Sequence, residues 1–194
     1  MTFLFFIYSW APVVVLGALL FAALLVQFRG DEKHAANFRR LIVIAVSARL
    51  IYAALSAYLQ YYVWNASPFT QLLLPPHAPW SYFLQYIFTH YLLNALLSIS
   101  AAAFFWLVFE MLRRYRLGII NREEPLVALL AALVVGWPGF IIFVPASLLL
   151  AALYLEARLP SKPTFEWPLL LAAIPALFFA KPILIWLHLT ALFA

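Results

Sequence analysis

The chain has 194 residues, 68% hydrophobic and only 10% charged, against roughly 45–50% apolar and 25% charged in a soluble domain. So few charges cannot shield that much apolar surface from water, which excludes a soluble fold and predicts an integral membrane protein. The formal charge of +5 suits short loops meeting anionic head groups better than nucleic acid. With no cysteine, disulfides, thiolate metal sites and thiol nucleophiles are excluded as well.

No charge precedes Arg29. The first predicted span runs from about Phe3 to Phe28 with Pro12 inside it, and its start lacks the basic region and cleavage pattern of a signal peptide. The densest charged stretch follows, Arg29 to His34 and then Arg39 and Arg40. A second span is predicted over Leu41 to Val63. The next loop, Trp64 to Trp80, has no charged residue but holds Pro68, Pro75, Pro76 and Pro79. A third span, Ser81 to Leu112, is longer than a straight crossing and ends in Arg113, Arg114, Tyr115 and Arg116. Basic, uncharged and basic loops alternate, so the positive-inside rule places 29–40 and 113–124 in the cytoplasm and 64–80 outside. The expected setting is a bacterial-type inner (plasma) membrane with the N-terminus outside.

Pro125 to Leu155 is too long for one straight span and is interrupted by Gly136, Trp137, Pro138 and Gly139. Gly and Pro clustered in this way make a turn. The prediction is a hairpin: a short helix from Pro125 to Val135, with proline in its favoured first turn, then a helix from Phe140 to about Leu155. The hairpin returns Arg158 and Lys162 to the cytoplasmic side. The first arm, at about 11 residues, is short of the roughly 20 needed to cross, so it is tilted, extended or a half-span buried by its neighbours. The last apolar run, Trp167 to Phe193, contains Pro168, Pro175 and Pro182 and is expected to kink or break. The fold class is thus an all-α transmembrane bundle, one membrane domain over residues 1–194. It has about six apolar segments, five full spans plus one short or half span.

Two polar rows stand out. Arg49, Tyr52, Ser56 and Gln60 share one face of the second span, and Tyr82, Tyr86, His90, Asn94 and Ser98 recur every fourth residue on the third. On antiparallel neighbours these rows can face each other, either as interhelical hydrogen bonding or as a polar cavity. Lys181, near the middle of the last apolar run and directly before Pro182, needs a partner, a wet cavity or carbonyls freed by the proline. Acidic partners are scarce: one aspartate, Asp31, and six glutamates, all at or near loops. Glu110 is expected to pair with Arg113 or Arg114. The embedded charges are net positive, which favours an anion such as a lipid phosphate. Candidate ligand-binding residues are Arg49, His90, Asn94 and Lys181. Two histidines, His90 and His188, could ligate a b-type haem, but nothing else supports a cofactor, and neither cofactor nor metal is expected.

The run Leu126 to Gly139, followed by a second apolar helix and by Phe165-Glu166-Trp167-Pro168-Leu169-Leu170-Leu171-Ala172-Ala173, resembles the C-terminal half of prepilin peptidases, over residues ~119–175. In that family a GxGD motif opens the short helix. Here the corresponding stretch reads Asn121-Arg122-Glu123-Glu124-Pro125. That chemistry needs a carboxylate pair sharing a proton. Glu123 or Glu124 can stand for one member, but no second membrane-facing carboxylate is apparent. The resemblance therefore implies shared helix packing without the protease.

The expected function is a non-catalytic membrane protein that packs with other membrane subunits. The alternative is a binder or carrier of an anionic lipid or lipid-linked phosphate through Arg49 and Lys181. A diverged membrane hydrolase ranks below both.

Overall fold

A computed structural model describes residues 2–29, 34–115, 120–156 and 165–189, with side chains from Trp10 onward. Asp31, Arg116, Arg158 and Lys162 lie outside the described residues. All regular structure in the described residues is helical. Helix α1 spans Thr2–Arg29 and α2 spans His34–Ala66. A short 3-10 turn, Thr70–Leu73, interrupts the uncharged loop. Helices α3 (Trp80–Ile87) and α4 (Leu93–Arg114) are joined by a π-helical turn, Phe88–Leu92, into one continuous rod. Then come α5 (Glu124–Val135), α6 (Phe140–Glu156) and α7 (Glu166–Trp186). Four helices are long and apolar enough to cross a membrane: α1, α2, the α3–α4 rod and α7. Both α5 and α6 are shorter. The five full spans and one short segment expected from sequence become four long helices and two short ones, because α6, at 17 residues, falls short of a full crossing as α5 does.

The division falls where the turn residues put it. Pro125 sits in the first turn of α5, where its missing N–H costs nothing. At the other end Gly136 adopts φ 64°, a left-handed conformation that only glycine enters at little cost. The chain reverses, and α6 begins at Phe140. The N-terminus of α5 and the far end of α6 both return to the neighbourhood of Phe165, so the pair is a hairpin. Its two arms are held mainly by α7, which packs on both. Gly139 permits that contact: a Cβ there would lie 3.2 Å from the Ala176 carbonyl and 2.9 Å from Val135 Cγ1.

Helix α5 is the hub. Val127, Ala128, Leu130 and Ala131 are fully buried, and α5 packs on α1, α2, α4 and α7. Such a helix, apolar on every side, belongs in a bundle interior. Alanines at Ala45, Ala102, Ala128, Ala131, Ala172 and Ala173 are buried at the helix contacts. Small residues let helices in lipid approach closely, and dispersion between them replaces the hydrophobic drive that lipid removes. The outward faces remain apolar, as Val14, Phe21, Val43, Ile51, Phe104 and Leu148 show.

The two ends of the bundle differ in chemistry. On the uncharged-loop side, Trp64, Leu74 and Phe83 form a small core with Tyr86 against it. Tyr61, Trp80 and Tyr82 stack around it. These are aromatic residues with polar tips, suited to the membrane–water boundary. On the other side, Glu110 accepts from Arg113 at 2.9 Å and Arg114 at 3.0 Å, as sequence spacing predicts.

Candidate functional site: a mid-helix cavity beside Arg49

Arg49 sits halfway along α2, and its guanidinium is spent on the end of α5. Its Nε donates to the Leu133 carbonyl at 2.6 Å and its Nη2 to the Val134 carbonyl at 3.1 Å. Its Nη1 donates to Ser98 Oγ on α4 at 3.3 Å. Carbonyls in the last turn of a helix have no intrahelical partner and carry about half a negative charge between them. A short helix that ends inside the bundle must satisfy them there, and Arg49 does so. Ser98 completes the clamp: its hydroxyl donates to the Asn94 carbonyl at 2.8 Å and accepts the Trp137 N–H at 2.8 Å. Gly136 lies under the guanidinium, so close that a Cβ would fall 1.9 Å from Nη2.

The two polar rows meet, as their spacing suggests, and a cavity of about 530 Å³ opens between them. Arg49, Tyr52 and Ser56 from α2, and His90, Tyr91 and Asn94 from the third rod, line it. Pro12, Val15 and Leu16 of α1 and Trp137 of the turn close it. His90 Nδ1 lies 3.0 Å from the Tyr86 carbonyl and 2.9 Å from the Thr89 hydroxyl, and its Nε2 has no protein partner among the described residues. The ring also stacks on Tyr86 at 4.1 Å. Sequence spacing missed the π turn, which advances the register by one residue. Tyr91, off the row, therefore donates to Gln60 at 2.7 Å, while Tyr86 packs on Trp64.

Lys181 does not join this site. It is exposed on α7 and does not line the cavity, and among the described residues it has no ion pair or hydrogen bond. The helix ends at Trp186, so Lys181 lies about a turn and a half from its end, within reach of the interface along its own stem. The apolar run to Phe193 had made it look central. His188 lies past the end of α7, exposed and away from the cavity that His90 lines.

A second polar cluster lies at the charged-loop end, and its central contact joins residues far apart in sequence. Glu124, at the start of α5, is fully buried and accepts the Phe165 N–H at 3.1 Å. Glu166, next along the chain, is buried and accepts from Gln27 of α1. His34 contacts Glu123 at 2.7 Å. The entry of α7 brings Glu166, which the sequence places at or near a loop, close enough to Glu124 for their charges to repel. Glu124 lies outside the four long helices, and burial, with Glu166 adding repulsion, pushes its carboxyl up to about 7 despite the Phe165 hydrogen bond. Neither carboxylate lines the Arg49 cavity or the apolar cavity of about 410 Å³ between α4, α6 and α7. Among the described residues no histidine–carboxylate group is arranged to hold a metal ion.

Comparison with protein-family models, with curated proteins and with solved structures finds no match to this chain.

Proposed function

We propose that this chain is a non-catalytic membrane protein, of the bacterial inner (plasma) membrane with its N-terminus outside, that binds an anionic amphiphile in the Arg49 cavity. One observation carries the reading. A guanidinium at mid-helix depth, with no carboxylate partner among the described residues, lines a cavity whose other walls are apolar or neutral. The end of α5 offsets about half its charge. The remainder, in a medium of low dielectric, favours an anion. Three of the five guanidinium donors are used by protein, so two are left for a phosphate or carboxylate. The π turn on the cavity wall supports the same reading, since such turns recur at functional sites.

The competing reading is a packing subunit in which the polar rows are interhelical glue. The bonds from Arg49 and Ser98 to α4, α5 and the turn favour it. Hydrolysis by Glu124 and Glu166 is less well supported, because both are buried away from either cavity.

The test is thermal unfolding of the purified chain with added phosphatidic acid or phosphatidylcholine. Phosphatidic acid should raise the transition temperature and phosphatidylcholine should not. Ala48→Leu, which narrows the cavity and replaces none of the residues that the guanidinium bonds, should reduce the difference. Equal responses to the two lipids in the unmodified chain favour the packing reading.

A further inference from the structure

The far end of the same cavity carries polar groups that the protein itself does not use. Ser56 is seven residues beyond Arg49 on α2, about 10 Å along the helix at the usual rise. Its side chain is 1% exposed, its hydroxyl has no hydrogen-bond partner, and it lines the cavity. A serine inside a helix ordinarily bonds back to the preceding turn. Ser98 does so to Asn94 at 2.8 Å, and Ser147 does so to Val144 at 2.8 Å. Ser56 alone of these three buried serines leaves its hydroxyl unmatched. Across the cavity, His90 commits Nδ1 to Tyr86 and keeps Nε2 open, and the Asn94 amide makes no hydrogen bond among the described residues. The cavity therefore has a cationic group at Arg49, an unmatched hydroxyl about 10 Å further along α2, and on the facing wall His90 and Asn94, which offer further donors and acceptors.

We infer, resting on the anion-binding reading above, that the ligand's head group is a hydroxylated phosphate: a polyol or sugar phosphate on a lipid chain. The phosphate lies at Arg49 and the hydroxyls at Ser56, His90 and Asn94. A hydroxyl both donates and accepts, so it satisfies the serine, the imidazole nitrogen and the amide alike. A bare phosphate or carboxylate reaches only the cationic end. A quaternary ammonium head supplies no donor and brings a second positive charge towards Arg49. A volume of about 530 Å³ is that of a small-molecule site. Its apolar walls, Pro12, Val15, Ile51 and Leu55, receive the start of the chain.

The experiment uses the full chain in nanodiscs of phosphatidylcholine doped with equal mole fractions of phosphatidic acid, phosphatidylglycerol or phosphatidylinositol. Lipid retained after extraction into mild detergent is measured by mass spectrometry. Phosphatidylglycerol and phosphatidylinositol should be enriched over phosphatidic acid by about fivefold or more, the discrimination expected when a site hydrogen-bonds hydroxyls. Ser56→Ala and Asn94→Leu should each reduce that ratio towards one while retention of phosphatidic acid over phosphatidylcholine persists. Because the Ser56 hydroxyl bonds to nothing in the protein, Ser56→Ala should not lower the unfolding temperature and should raise it if anything, which separates a ligand role from a packing role. Equal enrichment of all three anionic lipids overturns the hydroxylated head group and leaves the Arg49 reading standing. No enrichment of any over phosphatidylcholine overturns both. Selectivity that survives both substitutions also overturns the assignment.

Discussion

Arg49 does two jobs with one side chain, capping a helix and lining a cavity, and Gly136 makes the first possible. Both properties of that glycine matter: its positive φ, and the absence of a Cβ under the guanidinium. Gly136→Ala should therefore cost about 2 kcal/mol or more, from the left-handed conformation and from weakened charge-assisted hydrogen bonds. Arg49→Leu should cost about 2–4 kcal/mol by orphaning the carbonyls of Leu133 and Val134. The double substitution is the informative one. Once the guanidinium is gone the alanine's three closest clashes are removed, so the pair should destabilise by clearly less than the sum of the two. Denaturant titration in detergent measures this, and strict additivity would show that the clash is relieved elsewhere. The sequence pointed to Arg49, because a lone charge deep in an apolar run stands out. It could not reveal the partners, which are backbone carbonyls 84 and 85 residues away.

At the scale of elements, α5 shows what can be read from sequence and what cannot. Its ends were legible from Pro125 and the Gly136–Gly139 turn, since those residues have few conformations open to them. Its central position was not, because apolar composition alone does not say which helix is surrounded. The π turn was hidden too: polar residues at 82, 86, 90, 94 and 98 keep an unbroken spacing of four through it. Glu166 reads from sequence as a residue at or near a loop, and its partner Gln27, 139 positions away, is not legible there. The α5 and α7 starts are joined by Glu124, and this contact has a pH signature. Its carboxyl is raised from 4.5 to about 7 in the fold, so the folded chain holds that proton longer than the unfolded chain does. Stability from this group is full below 4.5, declines as pH rises, and is lost above about 7. Other ionisable side chains, those of His34, Glu123 and Glu166, lie nearby, so the comparison must be with Glu124→Gln, which keeps an acceptor for the Phe165 N–H but cannot ionise. The variant should lose less stability than the unmodified chain between pH 5 and pH 7. Parallel curves would show that Glu124 contributes nothing to the pH dependence.

For the whole molecule, the arrangement of ends makes a prediction that any function must respect. Helix α2 carries Ala36 and Ser67 to opposite ends of the bundle. The hairpin adds a sharper statement: Asn121, before α5, and Glu156, at the end of α6, lie on the Ala36 side, because α5 and α6 go in and come back. A single continuous crossing would instead put Glu156 with Ser67. The chain has no cysteine, so single cysteines can be placed at these four positions without background. All four residues are at helix ends or in connections, and Ala36, Asn121 and Glu156 are exposed. In intact cells an impermeant thiol reagent should label the cysteine at Ser67 and spare those at Ala36, Asn121 and Glu156, the pattern expected from the positive-inside rule. After permeabilisation all four should label. Labelling of Ala36, Asn121 and Glu156 together, with Ser67 protected, would invert the orientation but keep the hairpin. Labelling of Glu156 together with Ser67 would break the hairpin, and with it the account of Arg49, since a helix that crossed the bilayer would have no buried end for that arginine to cap.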